Sequence, residues 1–204
     1  MKKLLLFILM SSAGFLHAAT DFQQDLDAYV DCIINRKYTE AMGIFKRYEA
    51  DADHKQQLLE VQISIGIKIG ENLIKATPLW YVATKTDLQL SEVFFLIHLV
   101  QQGADVTQRN PLSKAHNILH KLATKRVEMS TLIPLINEKD ASLINERTLD
   151  GFTPLEMLFN TSIFKLNSGD KDYLCDEENS LKNVQAFLKE GAQLKKKNMP
   201  SLVT

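Results

Sequence analysis

Apolar residues recur along this chain with two distinct periods, and each predicts a different element. From Phe22 the spacing is three and four, so Phe22, Leu26, Tyr29, Val30 and Ile33 share one helix face. Thr20 with Gln23 fits a capping box at the start of that helix. Asn35-Arg36-Lys37 interrupts the pattern, and Ala41, Met42, Ile44, Phe45 and Tyr48 resume it as a second helix. Between Val61 and Gly70 the period changes to two: Val61, Ile63, Ile65, Ile67 and Ile69 alternate with Gln62, Ser64, Gly66, Lys68 and Gly70. Alternating branched residues signal a strand, and an extended finger is one reading of the segment. Leu58, Leu59 and Ile63 also lie on a helical stripe, and a lone strand leaves two edges unpaired. On that ground a helix is the preferred expectation. Helical spacing returns with Leu96, Leu99 and Val100, and again with Leu181, Val184, Phe187 and Leu188.

Three later helices open on related strings: ATPLWYVA (Ala76 to Ala83), NILHKLA (Asn117 to Ala123) and GFTPLEML (Gly151 to Leu158). Thr77 to Asn117 is 40 residues and Asn117 to Thr153 is 36. Pro78 and Pro154 suit the first helical turn, where a missing N–H loses no intrahelical bond. Thr77 and Thr153 precede them, with hydroxyls that can cap the free N–H groups. The first copy leads to QQGADVTQ (Gln101 to Gln108) and the last closes with KEGAQL (Lys189 to Leu194), each placing a glycine where a helix ends in a left-handed turn. Leu79, Leu119 and Leu155 are expected to point between neighbouring copies, which must stack because one copy cannot bury such a face alone.

A Thr-Pro-Leu helix start followed by Gly-Ala-Asp resembles the ankyrin-repeat family, whose period is about 33 residues. The resemblance implies an all-α fold, an ankyrin-repeat solenoid of about three repeats. The repeats would span about 72–110, 111–147 and 148–198 within a domain over 71–204, behind an N-terminal helical hairpin cap over 20–70. Such a cap would shield the first repeat from water. The middle copy departs from the family pattern. It reads Asp140-Ala141-Ser142 at the Gly-Ala-Asp position, so an aspartate would enter left-handed geometry at some cost. Asn117-Ile118 also replaces Thr-Pro, while Leu119 and His120 match the family. In the third copy Asn160 to Ser180 reads as an insertion before the outer helix, polar at its centre and expected to emerge as a loop.

Composition narrows the function. The chain has 204 residues, 45% hydrophobic and 24% charged, an ordinary composition for one globular domain. Its first nineteen residues read as a secretory signal peptide: basic Met1-Lys2-Lys3, apolar Leu4 to Met10, and small residues at Ala18-Ala19. The competing reading, an uncleaved anchor, meets a run broken by Ser11, Ser12 and Gly14 and shorter than the roughly 20 residues that span a bilayer. The compact signal is of bacterial type, so an exported protein, periplasmic or secreted, is expected, with no membrane insertion after signal removal. Losing Lys2 and Lys3 leaves 22 basic and 25 acidic residues, a net charge of −3. That balance gives no support to nucleic-acid binding. Export would permit a disulfide between Cys32 and Cys175 only if the chain near Cys175 folds back to bring their Cα atoms within about 7 Å. Two free thiols are the simpler expectation.

Candidate chemistry is sparse. His116 and His120 have the spacing of a metal pair on one helix face, but His116 falls before the expected helix and His120 sits at the family's Leu-His position. The acidic stretch around Asp170 and Asp176 lacks the order of a calcium loop. Asn160-Thr161-Ser162 matches a glycosylation acceptor, which is idle in a bacterium. No nucleophile, base and oxyanion set is apparent, so the expectation is a non-enzyme with no cofactor and no metal. The resemblance implies a protein partner held at finger tips and inner helices. Tyr81, His116, Leu149, Asp150 and Phe152 are the candidate contacts, with Trp80 instead filling space between repeats. A periplasmic accessory protein that stabilises an exported enzyme, or a secreted host-directed effector, is the alternative.

Overall fold

The computed structural model describes residues 21–69, 72–110, 113, 115–125, 127–167 and 177–194. The expected signal peptide, Thr20, Cys175 and the centre of the Asn160–Ser180 segment lie outside them. The chain divides into two compact units, one ending at Val61 and one starting at Gln62.

The first unit is three helices: α1 (21–34), α2 (Tyr38–Arg47) and α3 (Ala52–Glu60). Phe22, Tyr29 and Ile33 of α1, Ala41, Ile44 and Phe45 of α2, and Leu58 and Leu59 of α3 are buried, as the three- and four-residue spacing requires. The break after α1 is made by Arg36, which turns left-handed at φ 60. Lys37 N–H then reaches the Cys32 carbonyl at 2.8 Å, closing the helix end. Asp51 caps α3 by accepting from the N–H groups of Asp53 and His54.

The second unit opens on a hairpin. β1 (Ile63–Ile69) pairs antiparallel with β2 (Asn72–Ala76), Ile63 opposite Ala76 and Ile69 opposite Asn72. The helix preferred for Val61–Gly70 is therefore wrong. Its partner strand is the next stretch of chain, so the unpaired-edge objection fails and closing the loop costs little entropy. The pairing shifts register between Ser64 and Lys68, where Gly66 adopts φ +75. Packing against α4 buries Ile63 and Ala76, leaving Ile67 and Leu73 exposed.

Helices follow: α4 (Pro78–Thr84), α5 (Leu90–Gln101), α6 (Ile118–Leu122), α7 (Leu132–Lys139), a 3-10 turn over Ala141–Asn145, α8 (Pro154–Asn167) and α9 (Glu177–Lys189). The described residues are thus mostly helical, with one two-stranded hairpin. α4 packs on α6 and α6 on α8, while α5 packs on α7 and α7 on α9. Leu79, Leu96, Leu99, Val100, Leu119 and Leu155 fill the spaces between them. The expected loop from Asn160 is corrected at both ends, because α8 runs on to Asn167 and α9 begins at Glu177.

Two helix ends are built alike. At Gly103 (φ +100) the Ala104 N–H bonds the Leu99 carbonyl at 2.9 Å, and at Gly191 (φ +88) the Ala192 N–H bonds Phe187 at 2.9 Å. Asp140 does not imitate them, since its φ is −153 and its backbone extended. Its carboxylate accepts from the Ser142 N–H at 3.0 Å and hydroxyl at 2.7 Å. Asp105 holds Thr107 in the same way, at 2.9 and 2.7 Å. Asp140 therefore corresponds to Asp105, two places beyond the glycine, and the strained aspartate expected from sequence is not needed.

Candidate functional site

The starts of α8 and α6 are each held by a reciprocal capping box, made from different residues, and that of α4 is not. At α8 the Thr153 hydroxyl accepts the Glu156 N–H at 3.2 Å and the Glu156 carboxylate accepts the Thr153 N–H at 2.9 Å, a capping box. At α6 the Asn117 side chain accepts the His120 N–H at 3.0 Å, and His120 Nδ1 accepts the Asn117 N–H at 3.2 Å. Thr77 was expected to cap α4 but forms no such bond; its hydroxyl donates instead to Gln108 Oε1 at 3.0 Å. The buried Trp80 indole donates to the Gln108 carbonyl at 3.1 Å, so both residues tie α4 to the chain that follows α5.

The turn before α8 presents three of the candidate contacts. Thr148 N–H donates to the Phe152 carbonyl at 2.9 Å, Gly151 N–H to Thr148 at 2.9 Å, and Gly151 turns through φ +83. Arg147 braces this turn by donating to the Gly151 carbonyl and to Glu156 Oε2 at 2.8 Å. At its tip Leu149 is 93% exposed, Asp150 is exposed, and Phe152 keeps 40% of its surface in water. An exposed leucine thus stands beside a partly exposed phenylalanine on braced backbone.

His120 links this turn to α6. Its ring is fully buried, and Nε2 donates to the Phe152 carbonyl at 3.1 Å. With Nδ1 accepting from Asn117 and Nε2 donating, the ring must be the neutral Nε2–H tautomer. Burial pushes the imidazole below its ordinary pKa, and the Phe152 carbonyl, which pulls it up, does not restore it. The half-buried His116 ring stacks on it, centroids 5.8 Å apart. Because both His120 nitrogens are already bonded within the protein, the His116–His120 pair has no free ring nitrogen on that side for a metal. Among the described residues no group of three His, Cys, Asp or Glu side chains could hold one.

Behind this lies a polar network that sequence did not expose. Asn117 donates to the Leu143 carbonyl and to Glu146 Oε2, both at 2.9 Å, and Arg109 pairs with the same carboxylate. Burial raises the Glu146 pKa, but the hydrogen bonds from Arg109 and Asn117 outweigh it and hold the carboxyl below its ordinary range. Of the network only Asn117 carried a signal, its place at a helix start. The structure thus joins His116 to the 148–152 turn through His120. Tyr81 stands on a different helix, half-buried on α4 with the Lys85 ammonium 5.0 Å from its ring centroid. Cys32 is a half-buried free thiol.

This arrangement ties the start of α6 to the 148–152 turn and to Glu146 by hydrogen bonds. It offers a rigid turn with apolar side chains facing water. No protein-family model, curated protein or solved structure matches the chain.

Proposed function

We propose that the second unit is an ankyrin-type stack of about three repeats that serves as a protein-binding module, and that the mature chain works outside the bacterial cytoplasm. Support for the stack comes from construction that recurs with the motif: equivalent helix ends at Gly103 and Gly191, equivalent aspartate turns at Asp105 and Asp140, and two successive rows of packed helices. The observation that carries the binding role is Leu149, 93% exposed at the tip of a turn whose backbone is fixed by Thr148, Arg147 and His120. Exposed apolar side chains on rigid backbone are what a binding surface presents, because little ordering entropy is lost when a partner covers them. The contacts are Tyr81, His116, Leu149, Asp150 and Phe152. Cross-linked capture from the native cell, read by mass spectrometry, tests this against the Tyr81→Ala/Phe152→Ala variant. One partner lost in the variant at unchanged melting temperature is expected; identical captures, or loss of folding together with binding, would overturn the assignment.

A further inference from the structure

In the row of α5, α7 and α9, the last helix leaves open a side that the first one buries. α5 and α9 end alike, with the Ala104 N–H on the Leu99 carbonyl and the Ala192 N–H on that of Phe187, so the two helices align residue for residue from Leu99 and Phe187. Val93, Leu96 and Val100 of α5 then correspond to Leu181, Val184 and Leu188 of α9. The three α5 residues are buried in a helix on which α7 packs. Their counterparts are not: Leu181 is 57% exposed, Leu188 50%, and Val184 is half-buried. α9 meets α7 and the chain leading into it with its other side. There Lys182 reaches Glu128 at 3.0 Å, Asn183 accepts the Met129 N–H at 2.7 Å and donates to the Val127 carbonyl at 2.9 Å, and Glu190 accepts from Asn137 at 3.0 Å. With about 3.6 residues per turn, Leu181 and Leu188 project across the helix from Asn183 and Glu190. A stack that ends here needs a polar outer face on its last repeat, and α9 carries leucines instead.

We propose that the open side of α9 is closed by α9 of a second copy of this chain, the two helices packed antiparallel about a two-fold axis. The proposal rests on the reading of the second unit as a repeat stack and names what covers its end. A two-fold interface requires a patch complementary to itself, and this stripe is one. An axis passing between Val184 and Gln185 sets each Leu181 against Leu188 of the other copy. The bordering charges select the direction. Glu178 and Lys189 stand about three turns apart on one flank of the stripe, so antiparallel helices bring each Glu178 toward Lys189 of the second copy, whereas parallel helices would set like charges together. Glu178 also meets Lys182 of its own helix at 2.9 Å, but its side chain is 79% exposed. At such exposure the added pair fixes orientation more than it adds affinity, which comes from covering the leucines.

The test is sedimentation velocity on the protein produced from the full chain, over about 1 µM to 1 mM. One helix pair is smaller than a standard interface, so a monomer at the low end and a dimer at the high end are expected, with a Kd of about 100 µM. Leu181→Glu with Leu188→Glu should abolish the dimer and leave the melting temperature of the dilute protein unchanged. If that variant fails to fold by circular dichroism, Leu181→Ser alone replaces it, with the dimer weakened about tenfold. Glu178→Lys should weaken the dimer severalfold, and adding Lys189→Glu should restore it. Monomer at every concentration, a dimer indifferent to the folded stripe variant, growth beyond a dimer, or no rescue by the second charge change would overturn the proposal. A monomer that still captures a partner lost in the Tyr81→Ala/Phe152→Ala variant would sink the dimer and leave the binding module standing. A stripe-dependent dimer that captures nothing would do the reverse.

Discussion

Acidification should weaken the second unit through His120 before its carboxylates titrate. The ring has no solvent exposure; burial is the main force lowering its pKa from 6.5, His116 lowers it further, and the Phe152 carbonyl and Glu146 only partly oppose them. The unfolded chain therefore takes up a proton near pH 6.5 that the folded chain resists. Stability is complete above that pH, falls as the pH drops through the unfolded value, and levels off once the folded ring is also protonated. One proton bounds the slope at about 1.4 kcal/mol per pH unit. The geometry supplies the reason, since a proton on Nδ1 would face the buried Asn117 N–H and remove its acceptor, a loss of about 1–3 kcal/mol. Glu128 and Glu146, whose pKa values fall below the ordinary 4.5, and Asp140, held below 3.8, lose their contribution only in more acid solution. Urea unfolding between about pH 7 and pH 5, followed by the fluorescence of Trp80, isolates the effect. Trp80 is the only tryptophan, is 1% exposed and lies in the same unit. Relative to His120→Gln, which cannot titrate, the natural chain should lose up to about 2 kcal/mol across that window. Parallel curves for the two proteins, or a natural chain that gains stability on acidification, would refute the reasoning.

Gly43 lies inside α2 with nothing within 4 Å of an added Cβ, so Gly43→Ala should stabilise by about 0.5–1 kcal/mol, read as a higher melting temperature. Gly103 has equally open surroundings but φ +100, so Gly103→Ala should destabilise by about 1 kcal/mol from backbone strain alone. If both changes move the melting temperature in the same direction, that account of the two backbones is wrong. Asn117→Ala removes the α6 cap and both side-chain donations to Leu143 and Glu146, and should cost about 2–3 kcal/mol in chemical denaturation; a change under about 0.5 kcal/mol would contradict the network.

What could be read from the sequence was local. Pro78 and Pro154 mark helix starts because their constraint lies within one turn, and Gly103 and Gly191 mark helix ends for the same reason. The apolar spacing of α1 and α2 likewise identified Phe22, Tyr29, Ile33, Ala41, Ile44 and Phe45 as buried, but Leu26, Val30, Met42 and Tyr48 are only half-buried and the buried Tyr38 was missed. Errors arose where a partner lay elsewhere in the chain. Thr77 has a cap's position, yet Gln108, 31 residues on, competes successfully for its hydroxyl. The alternation at Ile63–Ile69 was visible, but β2 is five residues long and includes Asn72 and Lys75, too weak a pattern to announce a partner strand. Asp140 was set against the wrong neighbour because its role is played by a side chain accepting from Ser142, not by its backbone angle. At the candidate site, apolar Leu149 and Phe152 around Asp150-Gly151 were legible. The bond from His120 to the Phe152 carbonyl spans 32 residues and needed the fold.

The central claim, that the second unit holds a protein partner on its turns and inner helices, is tested most directly by amide hydrogen exchange on the captured complex against the free protein. The account predicts slowed exchange at Leu149–Phe152, around His116 and along Tyr81–Lys85, with α5, α7 and α9 unchanged. Protection confined to α5, α7 and α9, or none anywhere in the second unit, would contradict it.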